Sequence, residues 1–167
     1  MRTSPRAARR AFTLVNMLIT VAVMSIVAAA IMPSLASGNQ ISVAGAAYIL
    51  ASDLEYAQSI SLAEPDDPAV LRFDLEAGAY WIARTDEPDT PILRINGRDP
   101  YRVVLGEGDA IHAQGVAISL AGAPDDTVAF DGFGRLATLS DAVVTLTSAS
   151  GVRRVRIDAD TGFVVIE

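Results

Sequence analysis

The sequence predicts an α+β protein: a long N-terminal helix packed on an antiparallel β-sheet domain. Two observations carry this. Apolar residues run without a charge from Phe12 to Met32 and keep helical spacing to about Leu62, whereas from Ala69 onward they alternate with a period of two. One helical opening followed by many short strands is the order of an α+β chain, not of a βαβ repeat.

The N-terminal element comes first. The leader MRTSPRAARRA is basic and free of acids, and the chain then turns apolar, with Thr13, Asn16, Thr20 and Ser25 the polar residues between Phe12 and Met32. At a rise of about 1.5 Å per residue this stretch makes a helix of roughly 30 Å, the thickness of a bilayer's hydrocarbon core. The expectation is therefore a transmembrane first half, residues 12–35. With arginines on one side of the span, the N-terminus is expected in the cytoplasm by the positive-inside rule. A cleaved secretory signal is an alternative, because small residues occur around Ala28–Ala30 and Leu35-Ala36-Ser37. A plain uncleaved anchor is another.

Arg9-Arg10-Ala11-Phe12-Thr13-Leu14, followed by the apolar run and Pro33, resembles the type IV prepilin signal. That resemblance implies cleavage between Ala11 and Phe12 by a prepilin peptidase, N-methylation of Phe12, and retention of the apolar helix. Pro33 matches the proline that follows the apolar run in that family, and proline removes a helical hydrogen bond and bends the helix. Two positions depart from the pattern. Ala11 stands where glycine is usual, and Asn16 where the family has a glutamate that pairs with a neighbour's N-terminal amine. A neutral amide there implies a minor or initiating subunit; it is equally readable as a polar residue bonding across helices. Ala22, Ser25 and Ala28–Ala30 are small enough to let helices approach closely.

Residues 36–64 read as an amphipathic continuation of the helix. Ile41, Tyr48, Ala51 and Leu54, with Val43, Ala47, Leu50 and Ala57 beside them, form a stripe expected to pack on a sheet. Asp53 and Glu55 begin its polar side. The run Ala63-Glu64-Pro65-Asp66-Asp67-Pro68 ends the helix, since neither proline can continue it.

Residues 65–167 read as the β-rich domain. Val70–Asp74 and Tyr80–Arg84 flank a turn at Gly78 and predict a hairpin. Arg84 to Pro100 is a polar excursion with a short strand expected at Ile92–Ile95. Further strands are expected at Arg102–Leu105, Val116–Leu120, Thr127–Phe130, Val143–Thr147, Val152–Ile157 and Gly162–Ile166, with Ser148–Gly151 and Asp158–Gly162 as turns.

Within the pilin-like proteins, three stretches resemble the GspH/FimT group of minor pseudopilins of type II secretion and related pilus systems. They are Leu54-Glu55-Tyr56-Ala57-Gln58-Ser59, Phe130-Asp131-Gly132-Phe133-Gly134-Arg135-Leu136, and Ile157-Asp158-Ala159-Asp160-Thr161-Gly162-Phe163-Val164. The resemblance implies a pilin-like fold in a single-pass protein of the bacterial inner membrane, with a periplasmic C-terminal domain. It also implies other pseudopilins, the prepilin peptidase and a secreted protein substrate as partners.

Composition narrows the chemistry. The chain has no cysteine, which excludes disulfides, thiolate metal sites and a thiol nucleophile. All 13 basic residues are arginines; four precede Phe12, leaving nine against 20 acidic residues behind it. Such an acidic domain is poorly suited to broad phosphate-backbone binding. No Gly-x-Ser-x-Gly elbow or phosphate-binding loop is present. His112 has neither a cysteine nor a second histidine to share a metal, and Glu64-Asp66-Asp67, Asp125-Asp126 and Asp158-Asp160 lack calcium-loop spacing. No enzyme, metal or cofactor is expected. Arg153, Arg154 and Arg156 form the one basic patch outside the leader, and some FimT-like members bind DNA through a basic C-terminal motif. DNA uptake is thus an alternative to a role in the secretion pseudopilus, and a plain membrane-tethered β-domain is a third reading.

Overall fold

A computed structural model describes residues 14–35, 38–95, 97–149 and 151–167. The chain divides into two compact units, Met1–Ser37 and Gly38–Glu167.

The first unit contributes α1, Leu14–Leu35. Its described side chains, Leu14 to Val27, are all exposed. Thr20 and Ser25 turn their hydroxyls back onto the helix, donating to the carbonyls of Asn16 at 2.7 Å and Val21 at 2.9 Å. The surface left outward is therefore almost wholly hydrocarbon.

This unit corrects the expectation of a transmembrane helix over 12–35. Among the described residues, no helix is long and apolar enough to cross a membrane. The single-pass inner-membrane topology, with its cytoplasmic N-terminus and periplasmic domain, depended on that span and falls with it.

The second unit opens with α2, Gly38–Ala63. Its inner face is Val43, Ala46, Ala47, Leu50, Ala51, Leu54, Ala57 and Ser61, all buried and spaced by three or four residues. Four alanines on this face let the helix backbone lie close to the strands. Tyr48, expected in the stripe, is exposed, whereas Ala46, outside it, is buried. Ser61 fixes the exit, because its hydroxyl donates to Ala57 O at 3.1 Å and accepts from the amide of Ala69 at 2.8 Å.

Among the described residues, nine antiparallel strands follow. These are β1 Ala69–Asp74, β2 Ala79–Arg84, β3 Glu87–Pro91, β4 Arg102–Val104, β5 Ala117–Ala121, β6 Thr127–Ala129, β7 Ala142–Ser148, β8 Gly151–Ile157 and β9 Val164–Ile166. They form one sheet in the order β3-β2-β1-β6, with β4 also paired to β2, and a second in the order β5-β7-β8-β9. The predicted hairpin forms with Phe73 opposite Tyr80, and its turn uses Gly78 at φ +61°. The strand expected at Ile92–Ile95 lies earlier, at β3. Pro88 and Pro91 do not prevent it because β3 is an edge strand, where a missing N–H goes unnoticed. Buried residues of both sheets, including Leu71, Ile82, Val128, Val144, Leu146, Val155 and Ile157, meet α2 in one core.

Candidate functional site

Three stretches distant in sequence converge at the C-terminal end of α2. Asp131 organises the first turn: its Oδ1 accepts from the amides of Phe133 and Arg135, both at 2.9 Å, and its Oδ2 accepts from Arg135 Nε at 3.0 Å. Burial would raise its pKa, but those amides and the Arg135 guanidinium hold the carboxyl below its ordinary value. Asp158 does the same for the closing turn, accepting at Oδ1 from the Thr161 hydroxyl at 2.7 Å and the Thr161 amide at 3.0 Å. The Thr161 bond keeps that carboxyl below its ordinary value too. Gln58 of α2 then joins both turns, donating from Nε2 to Gly134 O at 2.7 Å and Thr161 O at 3.1 Å. The turns touch at Gly134 and Gly162, both with positive φ. Around this junction Leu62, Phe133 and Phe163 are exposed.

A second polar centre was missed by the sequence reading. Asp53, taken as surface decoration, is 6% exposed and accepts the phenol protons of Tyr80 and Tyr101, each at 2.7 Å. Tyr56 stacks on Tyr101 at 5.5 Å, and Arg94 covers the same ring while pairing with Asp109 at 2.7 Å. Burial raises the Asp53 carboxyl above its ordinary range despite these bonds, and it raises both phenols. The one available signal was that Asp53 lies at helical spacing between Leu50 and Ala57. The network ties the Ile92–Tyr101 excursion to α2.

The remaining sequence candidates separate. Ala11 and Phe12 lie outside the described residues. Asn16 sits in the first turn of α1, exposed, and Pro33 falls within the same helix near its end. On β8, Val155 and Ile157 are buried while Arg153 and Arg154 are exposed. Arg156 is engaged, by Asp141 at 3.1 Å and Glu167 at 3.2 Å. His112 is exposed on a short 3-10 turn, Gly108–Ala113. Glu64 and Asp67 are held by Arg84, at 2.5 and 3.6 Å. Among the described residues, no group of three or more histidines and carboxylates could hold a metal ion.

Solved structures share this architecture. The type IV minor pilin FimU of Pseudomonas aeruginosa superposes with a TM-score of 0.53 at 16% identity, over 75% of this chain and 87% of its own. A second crystal form of FimU gives 0.50 at 15% identity, over 74% and 90%. The minor pseudopilin EpsH from the Type 2 Secretion System of Vibrio cholerae gives 0.55 at 10% identity, over 75% and 95%.

The fold is pilin-like. It is reached at low identity, so the likeness lies in the arrangement of helix and sheets. No protein-family model matches the chain, and no curated protein matches it in sequence.

Proposed function

We propose that the chain is a minor pseudopilin, a non-enzymatic structural subunit of a type II secretion pseudopilus that acts in protein export. The observation that carries this reading is a pilin-like domain preceded in the chain by a helix whose described side chains are exposed and almost entirely apolar. Such a surface is stabilised only when covered, and burying one Leu, Ile or Val contributes about 1.5–3 kcal/mol. The covering proposed is the corresponding helix of neighbouring pseudopilins. EpsH is by name a minor pseudopilin of a secretion system and FimU a minor pilin; the secretion role is extended to this chain from the first.

The prepilin peptidase would cut between Ala11 and Phe12, and Phe12 would become the N-methylated first residue. Asn16 and Pro33 then lie in the assembly helix. Asn16 brings a neutral amide where a carboxylate would pair with a neighbouring amine, which suits a rare subunit. The domain presents its surface to other pseudopilins and to the exported protein.

The test is co-expression of the full chain with a prepilin peptidase, followed by intact-mass measurement. The expected product begins at Phe12 and carries one added methyl group. A product that keeps Met1, or one cut beyond Ala28, would sink the proposal.

A further inference from the structure

Among the described residues, five strands lie at sheet edges, and four of them are closed to a further strand. β3 carries Pro88 and Pro91 together with Glu87 and Asp89, and prolines and charges both discourage pairing. β4, β6 and β9 are only three residues long. β4 lies against the 3-10 turn Gly108–Ala113, and β9 lies against α2. β6 is entered from Asp125 and Asp126, both at positive φ, and Arg72 reaches across to Asp125 O and Thr127 Oγ1.

β5 is open. It has five residues, Ala117–Ala121, and the run from Gly115 to Ala123 contains neither a charge nor a proline. All five pair with β7, from Ala117 opposite Thr147 to Ala121 opposite Val143. Among the described residues, nothing pairs with the other edge of β5. Alternate residues turn their N–H and C=O groups to that edge, which runs for about 17 Å. Gly115 and Gly122, at φ +75° and +79°, turn the chain at the two ends of the strand. Ile118 is buried and Leu120 half-buried, both against the core, whereas Ala117, Ser119 and Ala121 are exposed.

We infer that β5 is a strand-addition site: it takes an extended segment of another polypeptide, which continues the order β5-β7-β8-β9 by one strand. The backbone of that segment supplies the hydrogen bonds, and its alternate side chains supply the selectivity. One of its faces lies beside Leu120, whose burial an apolar residue completes. The other lies beside Ala117, Ser119 and Ala121, small enough to leave room for Val, Ile, Thr or an aromatic ring. The segment is neutral to basic, because the chain behind Phe12 carries nine arginines against 20 acids. A second copy of this chain suits the edge poorly on both counts. Two β5 strands would set small side chains against small side chains, and two acidic domains repel. The site needs only the folded domain and goes beyond the assembly reading above.

The probe is a peptide of the β7 sequence, Ala142–Ser148, with two lysines appended, since these side chains already match β5 across its paired edge. Fluorescence anisotropy should show it binding the full-length chain. The same peptide N-methylated at every residue should bind several-fold more weakly. N-methylation removes the donors and adds hydrocarbon, so mere apolar adsorption would hold or strengthen instead. Hydrogen exchange in the complex should slow at amides within Ala117–Ala121 and not within β3. Ser119→Pro and Leu120→Pro add a test on the chain itself. Successive residues face opposite edges, so one of the two variants loses only an outward N–H. That variant should keep its thermal midpoint and lose the peptide. Equal binding of the two peptides, no added protection at β5, or a well-folded proline variant that still binds overturns the inference. A wild-type dimer that this variant converts to monomer would give the edge to a second copy and overturn it too.

Discussion

Gln58 donates its side-chain amide to the carbonyl of Gly134, 76 residues away, at 2.7 Å. The same nitrogen reaches Thr161 O at 3.1 Å. A helix side chain thus holds together two turns that each carboxylate, Asp131 and Asp158, has already shaped from within. The glycines at the contact are needed for space as well as for φ: a Cβ on Gly162 would overlap the Gly134 carbonyl oxygen and crowd Gln58 Nε2.

Gly162→Ala should therefore destabilise the domain by about 3 kcal/mol, from overpacking and a strained φ together. Gln58→Ala, which leaves two carbonyls without a partner, should cost about 1–3 kcal/mol. Gly78→Ala is the control. Its φ is +61°, but nothing lies within 4 Å of an added Cβ, so strain alone should cost about 1–2 kcal/mol. Urea unfolding of the three variants would rank them; Gly162→Ala no worse than Gly78→Ala would show that the turns do not touch as described.

The Asp53 network predicts a pH dependence with a definite sign. Burial holds the folded carboxyl above its ordinary 3.8, outweighing the bonds from Tyr101 and Tyr80 and the charge of Arg94, while Asp109 adds to the rise. A raised folded pKa means that the folded state takes up a proton more readily than the unfolded chain. Its contribution is complete below 3.8 and is lost as pH rises through the raised value. Asp131 and Asp158 have the opposite sign, since their depressed values make them stabilising above 3.8 and lost as pH falls further. Unfolding midpoints measured against pH should show a decline above 3.8 that disappears in Asp53→Asn. A decline of the same size in that variant would exclude Asp53 as its source. Tyr101→Phe should cost about 1–3 kcal/mol.

The arginines of β8 carry a prediction about DNA. Arg156 is held by Asp141 and Glu167, which leaves Arg153 and Arg154 as a two-charge patch on an acidic domain. The full chain should not retard duplex DNA in a low-salt gel shift. Replacing Asp141 by Asn and Glu167 by Gln should release Arg156 and bring weak, salt-sensitive binding, because each phosphate contact adds to the salt dependence. Retardation by the wild-type chain would reopen DNA uptake as the function.

The β domain was legible because its strands alternate cleanly and its turns are spelled by glycine and aspartate. Eight of the nine strands lie within a few residues of where period-two patterning puts them. The ninth, β3, was hidden by Pro88 and Pro91, which deny a strand only where its N–H groups are needed. On α2 the pattern gave the helix and most of its buried face from Val43 to Ala57, but it placed Tyr48 there and left out Ala46, because alanine is small enough to be overlooked beside a large ring. Asp53 was illegible for a different reason. A carboxylate at a buried position reads as a surface residue until its two phenols, Tyr80 and Tyr101, are brought to it by tertiary structure. The Gln58 junction was half legible: its three segments were recognised as motifs, but nothing in them says that an amide joins them.

Asn16 offers the sharpest test of the assembly helix. A carboxylate among apolar helices is costly unless a cation meets it, and the proposed cut at Ala11–Phe12 would create an amine close to this position on a neighbouring chain. Asn16→Glu should therefore strengthen self-association of the processed protein, whose amine is at Phe12. It should weaken that of the unprocessed protein, whose amine is at Met1. Sedimentation equilibrium on both forms would show the two shifts. Equal shifts in one direction would mean that residue 16 does not meet a neighbour's amine, and the amide would then act simply as a hydrogen-bonding group between helices.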